Sequence, residues 1–323
     1  MKQIFALVVA FFALAVVGST TAQMSYPDKP IRIIAGFPPG TAADISARVV
    51  GQKLAEAWGK PVVVDNISGA AGNIATDRAA KAAPDGYTLI MAGSAAIVIN
   101  PSLYEKLPYD PVRDFSPVSQ VCFTATILVV HNAVPANSVR ELVDLARAQT
   151  GKLTFASAGN GSIQQIAGEL FKTTSGIDIR HVPYKGSTAF MPDLLAGRVT
   201  MAFGNTSTVL SAIREGKLRA LAVTSMRRSP LLQDLPTMAE SGFPGFDATI
   251  WFGVLAPART PAPVIGKLHH EIIRILALSD VRSKFADLGM EPIGNSPDEF
   301  SLIIKAEIPK WAKVIKESGM KLD

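Results

Sequence analysis

Residues 119–132 read SQVCFTATILVVHN and residues 248–257 read ATIWFGVLAP. Both stretches are apolar and rich in β-branched and aromatic side chains, so both read as long extended segments. Elsewhere short β-branched runs, at 31–36, 62–65, 88–92, 153–156, 179–183, 200–203 and 218–224, alternate with amphipathic helical stretches. That alternation is βαβ grammar, and it predicts an α/β fold of mainly parallel sheets flanked by helices. A self-contained βα segment lies between the two long strands, so the chain is expected to cross twice between two lobes. Lobe 1 then comprises residues 26–126 and 251–323, and lobe 2 residues 127–250. Two crossover strands make a hinge, and a hinge between α/β lobes makes a cleft that closes on a ligand.

The helices follow from spacing. Val50, Leu54 and Trp58 recur at i, i+4 and i+8, the stripe of a core-facing helix. After the second long strand three helices are expected, over 261–278, over 280–288 and from an N-cap at Ser296. Pro297 at N1 and Glu299 at N3 complete a capping box there, and Pro309 is expected to kink the last helix.

Composition removes several function classes. The chain has 323 residues, 48% hydrophobic and 18% charged, the balance of a globular protein. The net charge of +5 comes from scattered basic residues, not from a run that would track nucleic acid. Cys122 is the only cysteine, which excludes an intramolecular disulfide, a cysteine zinc cage and a dithiol redox pair. At the N-terminus Lys2 precedes an apolar run over 4–17, and small residues lead to Ala22. This reads as a cleaved secretory signal peptide over 1–22; a membrane anchor is the alternative, but the run falls short of the roughly 20 residues that span a bilayer. No cysteine stands at the cleavage point to carry a lipid. A protein so poor in cysteine suits the bacterial periplasm, where it is expected to be soluble.

Chemistry is expected in the loops that follow the strands: GFPPGTAAD (36–44), NISGAAGN (66–73), GSA (93–95), SAGNGS (157–162), KGSTA (185–189) and GNTS (204–207). Each combines small residues with a hydroxyl or amide just before a helix. At the carboxyl ends of strands, glycine lets backbone approach a ligand, and free amides with the helix dipole favour an anion. The candidates are Phe37, Pro38, Gly40, Thr41, Ala43, Asp44, Asn66, Ser94, Ala95, Ser157, Ala158, Gly159, Ser162, Gly186 and Ala189, with Tyr184, Lys185, Thr188 and Asn205. Thr41, Asp44 and Ser162 fit helix capping equally well, Asn205 a turn, Lys185 a solvated turn, and Phe37 and Tyr184 the core. No phosphate-loop pattern occurs, so a carboxylate is the expected anion. Lys185 is the one basic residue in these loops, which points to recognition by backbone N–H groups, hydroxyls and water.

Catalytic and metal signatures are missing. G-x-S-x-G and H-E-x-x-H do not occur, and the one S-x-x-K, Ser318 to Lys321, lacks its partner motifs. His269 and His270 are adjacent on a helix and point apart, while His131 and His181 sit in strands. No cofactor or metal is expected. A periplasmic α/β hydrolase or transferase stays open, since triads are assembled from distant residues. The effector lobes of a transcription regulator are disfavoured by the leader and by the absence of a preceding helix-turn-helix.

Taken together these loops resemble the substrate-binding receptors of tripartite tricarboxylate transporters, the TctC or Bug family. The resemblance covers essentially the whole mature chain: YPDKPIRIIAGFPPGTAAD (26–44), VVVDNISGAAGNIATDRAAKAAPDGYTLIMAGS (62–94), LPYDPVRDFSPVSQV (107–121), FASAGNGSIQQIAGELF (155–171), HVPYKGSTAFMPDLLAGRV (181–199), LPTMAESGFPGFDA (235–248) and WFGVLAPARTPAPVI (251–265). It implies a two-lobed periplasmic-binding-protein fold of type II and no enzymatic activity. Its partners would be a small organic acid and the membrane permease subunits, with no nucleic acid and a monomeric receptor. It also implies that loops 37–44 and 157–162 hold a carboxylate, with Thr41, Asp44, Ser94, Ala158, Gly159 and Thr188 carried over by position. In one place the chain departs from the family: an acid-containing Phe-Asp-Asn turn is common there, and this chain has Phe203-Gly204-Asn205. The lost carboxylate disfavours an amine and favours an uncharged or second-carboxylate ligand tail.

Overall fold

The structure is a computed structural model and describes residues 26–319 except 187; the leader and Lys321 lie outside the described residues. Strand β1 (Ile31–Ala35) leads through helix α1 (Ala42–Trp58), β2 (Val62–Asn66) and α2 (Asn73–Ala80) to β3 (Thr88–Gly93). A π-helical turn over Ala95–Ile99 continues into α3 (Asn100–Leu103). Then come β4 (Phe115–Thr124), β5 (Thr126–His131), α4 (Val139–Ala148), β6 (Thr154–Ser157), α5 (Ile163–Ser175), β7 (Arg180–Pro183), α6 (Met191–Leu195), β8 (Met201–Asn205), α7 (Thr206–Arg214) and β9 (Leu218–Val223). The chain ends with β10 (Ile250–Pro257), α8 (Ala262–Ala277), α9 (Ser279–Asp287), β11 (Met290–Pro292) and α10 (Pro297–Ser318).

The strands form two sheets, ordered β11-β4-β10-β3-β1-β2 and β7-β6-β8-β5-β9. The stretch 119–132 is therefore two strands in different sheets, broken at Ala125. Both sheets keep the expected mainly parallel plan and are mixed, because β10 and β11 in the first and β5 in the second run against the rest. The βαβ units are parallel, as β1 is to β2 and β3, and β6 to β7 and β8. The strands that leave or enter through the crossovers are antiparallel to their neighbours: β10 to β3 and β4, and β5 to β8 and β9. The reason is geometric, because a strand arriving from the other sheet starts at the end where the parallel strands finish. Gly93, ending β3, pairs with Phe252 near the start of β10, and Asn205, ending β8, pairs with Thr126 at the start of β5. The carboxyl ends of the parallel strands in both sheets thus face the crossovers and each other, which is where an open α/β sheet binds ligands.

The crossovers are tied together. Thr224 N–H donates to Thr126 O, Thr126 N–H donates to Thr224 Oγ1, and Ala248 N–H donates to Thr224 O, at 3.0, 3.0 and 3.2 Å. Strand β10 alternates as a central strand must. Phe252, Val254 and Ala256 pack with α1 and α8, while Trp251 and Leu255 belong to the apolar cluster on the other face. Helix α10 opens with the expected capping box, Glu299 N–H to Ser296 Oγ at 3.2 Å and Ser296 N–H to Glu299 Oε2 at 2.8 Å, and it continues through Pro309. It packs on β4 and also on α5 of the second sheet, so the cluster holding Trp251, Phe300 and Trp311 runs on into Leu170 and Phe171.

Candidate functional site

Between the facing strand ends lies a cavity of about 320 Å³. The first sheet's loops contribute Phe37, Thr41, Ala43, Ala71, Gly93 and Ala95. The second sheet's side contributes Ala158, Asn160, Gly161, Ser162, Ile163, Gln164 and Asn205, and β10 adds Ile250 and Phe252. None of these fifteen side chains is ionisable. The Phe37 ring meets Phe252 edge-on at 6.5 Å and 89°. Gly93 permits that pair: a Cβ there would lie 3.2 Å from Phe37 and 3.3 Å from Phe252.

At the mouth of α1, Thr41 is the N-cap. Its hydroxyl donates to Pro38 O at 2.8 Å and accepts a long bond, 3.5 Å, from Asp44 N–H. Asp44 is 2% exposed and turned away from the cavity. Its oxygens accept from Gly40 N–H at 2.9 Å, Arg48 Nε at 2.9 Å and Asn66 Nδ2 at 2.8 Å. Burial alone would raise this carboxyl's pKa; the Arg48, Gly40 and Asn66 bonds outweigh it and hold the group below its ordinary value. Asn66 also donates to Phe37 O at 3.0 Å. Gly40, Asp44 and Asn66 therefore shape the loop, with Phe37, Thr41 and Ala43 left to face the cavity.

The mouth of α5 has the same cap and different chemistry. Ser162 Oγ donates to Gly159 O at 2.6 Å and accepts from Gln165 N–H at 3.3 Å. Behind it, Gln165 Oε1 accepts from Gly161 N–H at 2.7 Å, and Gln165 Nε2 lies 3.4 Å from His181 Nδ1. Ser157 Oγ lies 2.6 Å from His181 Nε2 and 3.2 Å from Gly159 O. One proton pattern satisfies the chain: Gln165 donates to Nδ1, Nε2–H to Ser157, and the Ser157 hydroxyl to Gly159. Burial, aided by the charge on Lys172, lowers the His181 pKa to about 4, so the ring is neutral near pH 7. The serine–histidine spacing suits a hydrolase, but Ser157 is fully buried and an amide, not a carboxylate, stands behind the imidazole. The pair orders the 157–162 loop from behind the cavity.

Asn205, ending β8, occupies the N-cap position of α7 without capping it. Its Oδ1 accepts from Gln164 Nε2 at 3.0 Å, which directs its own NH₂ elsewhere. Gly204 is fixed by close packing, since a Cβ there would fall 2.2 Å from Val209 Cγ1.

The remaining sequence candidates lie outside the lining. Pro38 is exposed, Ser94 is buried with no hydrogen-bond partner for its hydroxyl, and Gly159 is not part of the lining. Among the described residues the 184–189 loop meets the 157–162 loop through backbone, Tyr184 N–H donating to Ser157 O and Gly186 N–H to Ala158 O, both at 3.1 Å, while the Tyr184 hydroxyl donates to Asp193 at 2.7 Å. Lys185, Thr188 and Ala189 are exposed. Conversely, Ala71, Gly93, Asn160, Gly161, Ile163, Gln164, Ile250 and Phe252 line the cavity without having been singled out. The first four lie in the quoted loops. Strand alternation would have found Ile250 and Phe252, which share a face across Trp251. Among the described residues no helix is long and apolar enough to cross a membrane, and no group of three or more His, Cys, Asp and Glu is placed to hold a metal.

Comparison with known proteins places this geometry. The family described as "Tripartite tricarboxylate transporter family receptor" matches residues 46–320. Protein BugT of Bordetella pertussis is 39% identical over 323 residues, covering 100% of this chain and 99% of BugT. An R. palustris protein solved with adipate superposes with a TM-score of 0.76 at 35% identity, over 92% of this chain and 99% of that one. MatC from Rhodopseudomonas palustris, solved with bound malate, gives 0.72 at 31% identity, over 90% and 100%. These likenesses show a two-lobed periplasmic-binding-protein fold and a substrate-binding receptor, not an enzyme. The chain is a member of the tripartite tricarboxylate transporter receptor family.

Proposed function

We propose that this receptor is exported to the periplasm after removal of residues 1–22, works there as a soluble monomer, and delivers a small organic acid to the permease subunits of a tripartite transporter. The observation that carries the reading is the cavity, bounded by helix N-termini from two sheets and by no ionisable side chain. First-turn amides have no carbonyl four residues back to accept their protons, so they solvate an anion. Relatives solved with adipate and malate support the choice of a carboxylic acid. Residues 26–126 with 251–323 would move against 127–250 about Ala125 and the Thr224 to Ala248 tie. Helix α10, packed on both sheets, would follow that motion.

Thermal-shift screening of the mature protein against a carboxylate library tests the function. A true ligand at a hundred times its Kd adds about 2.7 kcal/mol of stability. A library that leaves the melting temperature unmoved, where the matching amides raise it, would overturn the reading. Small-angle scattering with a hit tests the hinge, with a smaller radius of gyration expected on binding.

A further inference from the structure

The cavity is polarised from one sheet to the other. The first sheet's side presents Phe37, Ala43, Ala71, Gly93 and Ala95, and its one polar side chain, Thr41, has given its proton to Pro38 O. The amide side chains are all on the second sheet's side, in Asn160, Gln164 and Asn205. Asn205 is positioned as a donor: its oxygen is taken by Gln164, and it does not cap its own helix, so its NH₂ remains for a ligand. An acid in that turn is excluded by Val209, which stands where a side chain at Gly204 would begin. On the first sheet's side the α1 mouth already has an anion, since Asp44 accepts from Gly40 N–H behind the loop.

Resting on the carboxylate reading above, we infer that the ligand is an amphipathic monocarboxylate, its carboxylate at the α5 mouth beside Asn205 and its apolar body against Phe37, Phe252, Ala71 and Ala95. A second carboxylate would be buried among apolar groups with no cation to meet it, close to a mouth that Asp44 already occupies. Burial of an unpaired charge is costly, whereas an aliphatic or aromatic body gains from the same surface.

Calorimetry on the unmodified mature receptor tests this with matched probes: hexanoate against adipate, and benzoate against its 4-carboxy counterpart. Each monoanion is expected to bind at least tenfold tighter than its dianion. A dianion binding as tightly as its monoanion in both pairs overturns the inference and leaves the carboxylate receptor standing. Hexanamide and benzamide binding as tightly as the acids would instead overturn the carboxylate reading itself. Two variants test the orientation. Ala95→Lys places a cation on the apolar wall and should shift the adipate-to-hexanoate affinity ratio at least tenfold toward adipate. Asn205→Ala should weaken hexanoate and adipate alike, by about tenfold. An unchanged ratio in a folded Ala95→Lys variant, or unchanged affinity in Asn205→Ala, counts against the assigned orientation.

Discussion

The mouths of α1 and α5 share a plan. Each has a hydroxyl N-cap, Thr41 or Ser162, whose oxygen accepts the N–H three residues on and whose proton goes to a loop carbonyl three residues back. They differ in the first helical turn. In α1 it holds Asp44, buried and tied to Arg48 and Asn66, so the positive end of that helix dipole is answered from within. In α5 it holds Gln164 and Gln165, neutral amides backed by a neutral imidazole, so that dipole is unanswered. Two loops with the same small-residue signature are thus built for different tasks, one braced by charge and the other left available to it.

The largest expected difference between them is in acid. His181 is held near pKa 4, below the roughly 6.5 of an unfolded chain, so between those values the unfolded chain binds a proton that the folded one refuses. The stability this contributes is complete above about pH 6.5 and is lost as pH falls toward 4, with an upper bound on the order of 3 kcal/mol. Asp44 is shifted down, so its contribution persists above the ordinary aspartate pKa and is lost only below it. Acidification should therefore loosen the α5 side first. Melting temperatures between pH 7 and 4.5 should fall for the unmodified protein and flatten in His181→Gln; an equally steep fall in that variant would break the contrast.

Next in size is the response to added charge. Gln164→Glu puts an acid where the α5 dipole is unanswered, and ligand affinity should fall about a hundredfold, near 2.7 kcal/mol. Asp44→Asn removes an acid from the other mouth and should lower stability through its lost ion pair while affinity changes less than threefold. Equal losses of affinity in the two variants would mean that the carboxylate lies midway between the mouths.

Why the sequence reveals one part of this and not another follows from the range of the interactions. Strands, helices and the capping box at Ser296 are local: β-branched runs and i, i+3 pairings are legible in order along the chain. The crossovers were legible too, because residues 119–132 are too long and apolar to be a loop. The reversal of β10 and β5 within those sheets was not, since each reads the same whichever way its neighbours run. Around the cavity, glycine and hydroxyl patterns pointed to Thr41, Ser162 and Asn205, which are among its lining residues. They did not say that Ser157 would turn to His181, twenty-four residues on, or that Asp44 would be claimed by Asn66 across a strand. Those roles depend on long-range partners. The C-terminal helix, assigned to lobe 1 by chain order, packs on both sheets for the same reason.

The two N-caps should behave alike, which sharpens the comparison by removing the hydroxyls from it. Thr41→Ala and Ser162→Ala are each expected to cost about 1 kcal/mol of stability, the Thr41 variant somewhat less because its 3.5 Å bond is long. Both hydroxyl protons are already committed to carbonyls, so affinity should stay within about threefold. A tenfold loss confined to Ser162→Ala would show that its hydroxyl swings from Gly159 to the ligand.

The smallest expected effect is at Lys185, and it bears most directly on the contrast, because a cation at the α5 mouth would abolish it. Lys185 is exposed, absent from the cavity lining, and carried on a loop whose described residues are tied to the 157–162 loop by backbone bonds, Tyr184 to Ser157 and Gly186 to Ala158. An exposed charge acts on a ligand several ångströms away through high-dielectric solvent, and 0.15 M salt screens it over about 8 Å. Lys185→Ala should therefore change the Kd by less than about twofold at that ionic strength, with any residual effect in the association rate and growing as salt is removed. A direct buried ion pair behaves otherwise: its loss costs roughly 2 to 5 kcal/mol, appears in the dissociation rate and resists salt. Stopped-flow measurements at 20 and 200 mM salt separate the two. A slow, salt-independent loss of more than tenfold would mean that the 184–189 loop folds over the bound ligand, and that the α5 mouth holds its anion with an ammonium after all.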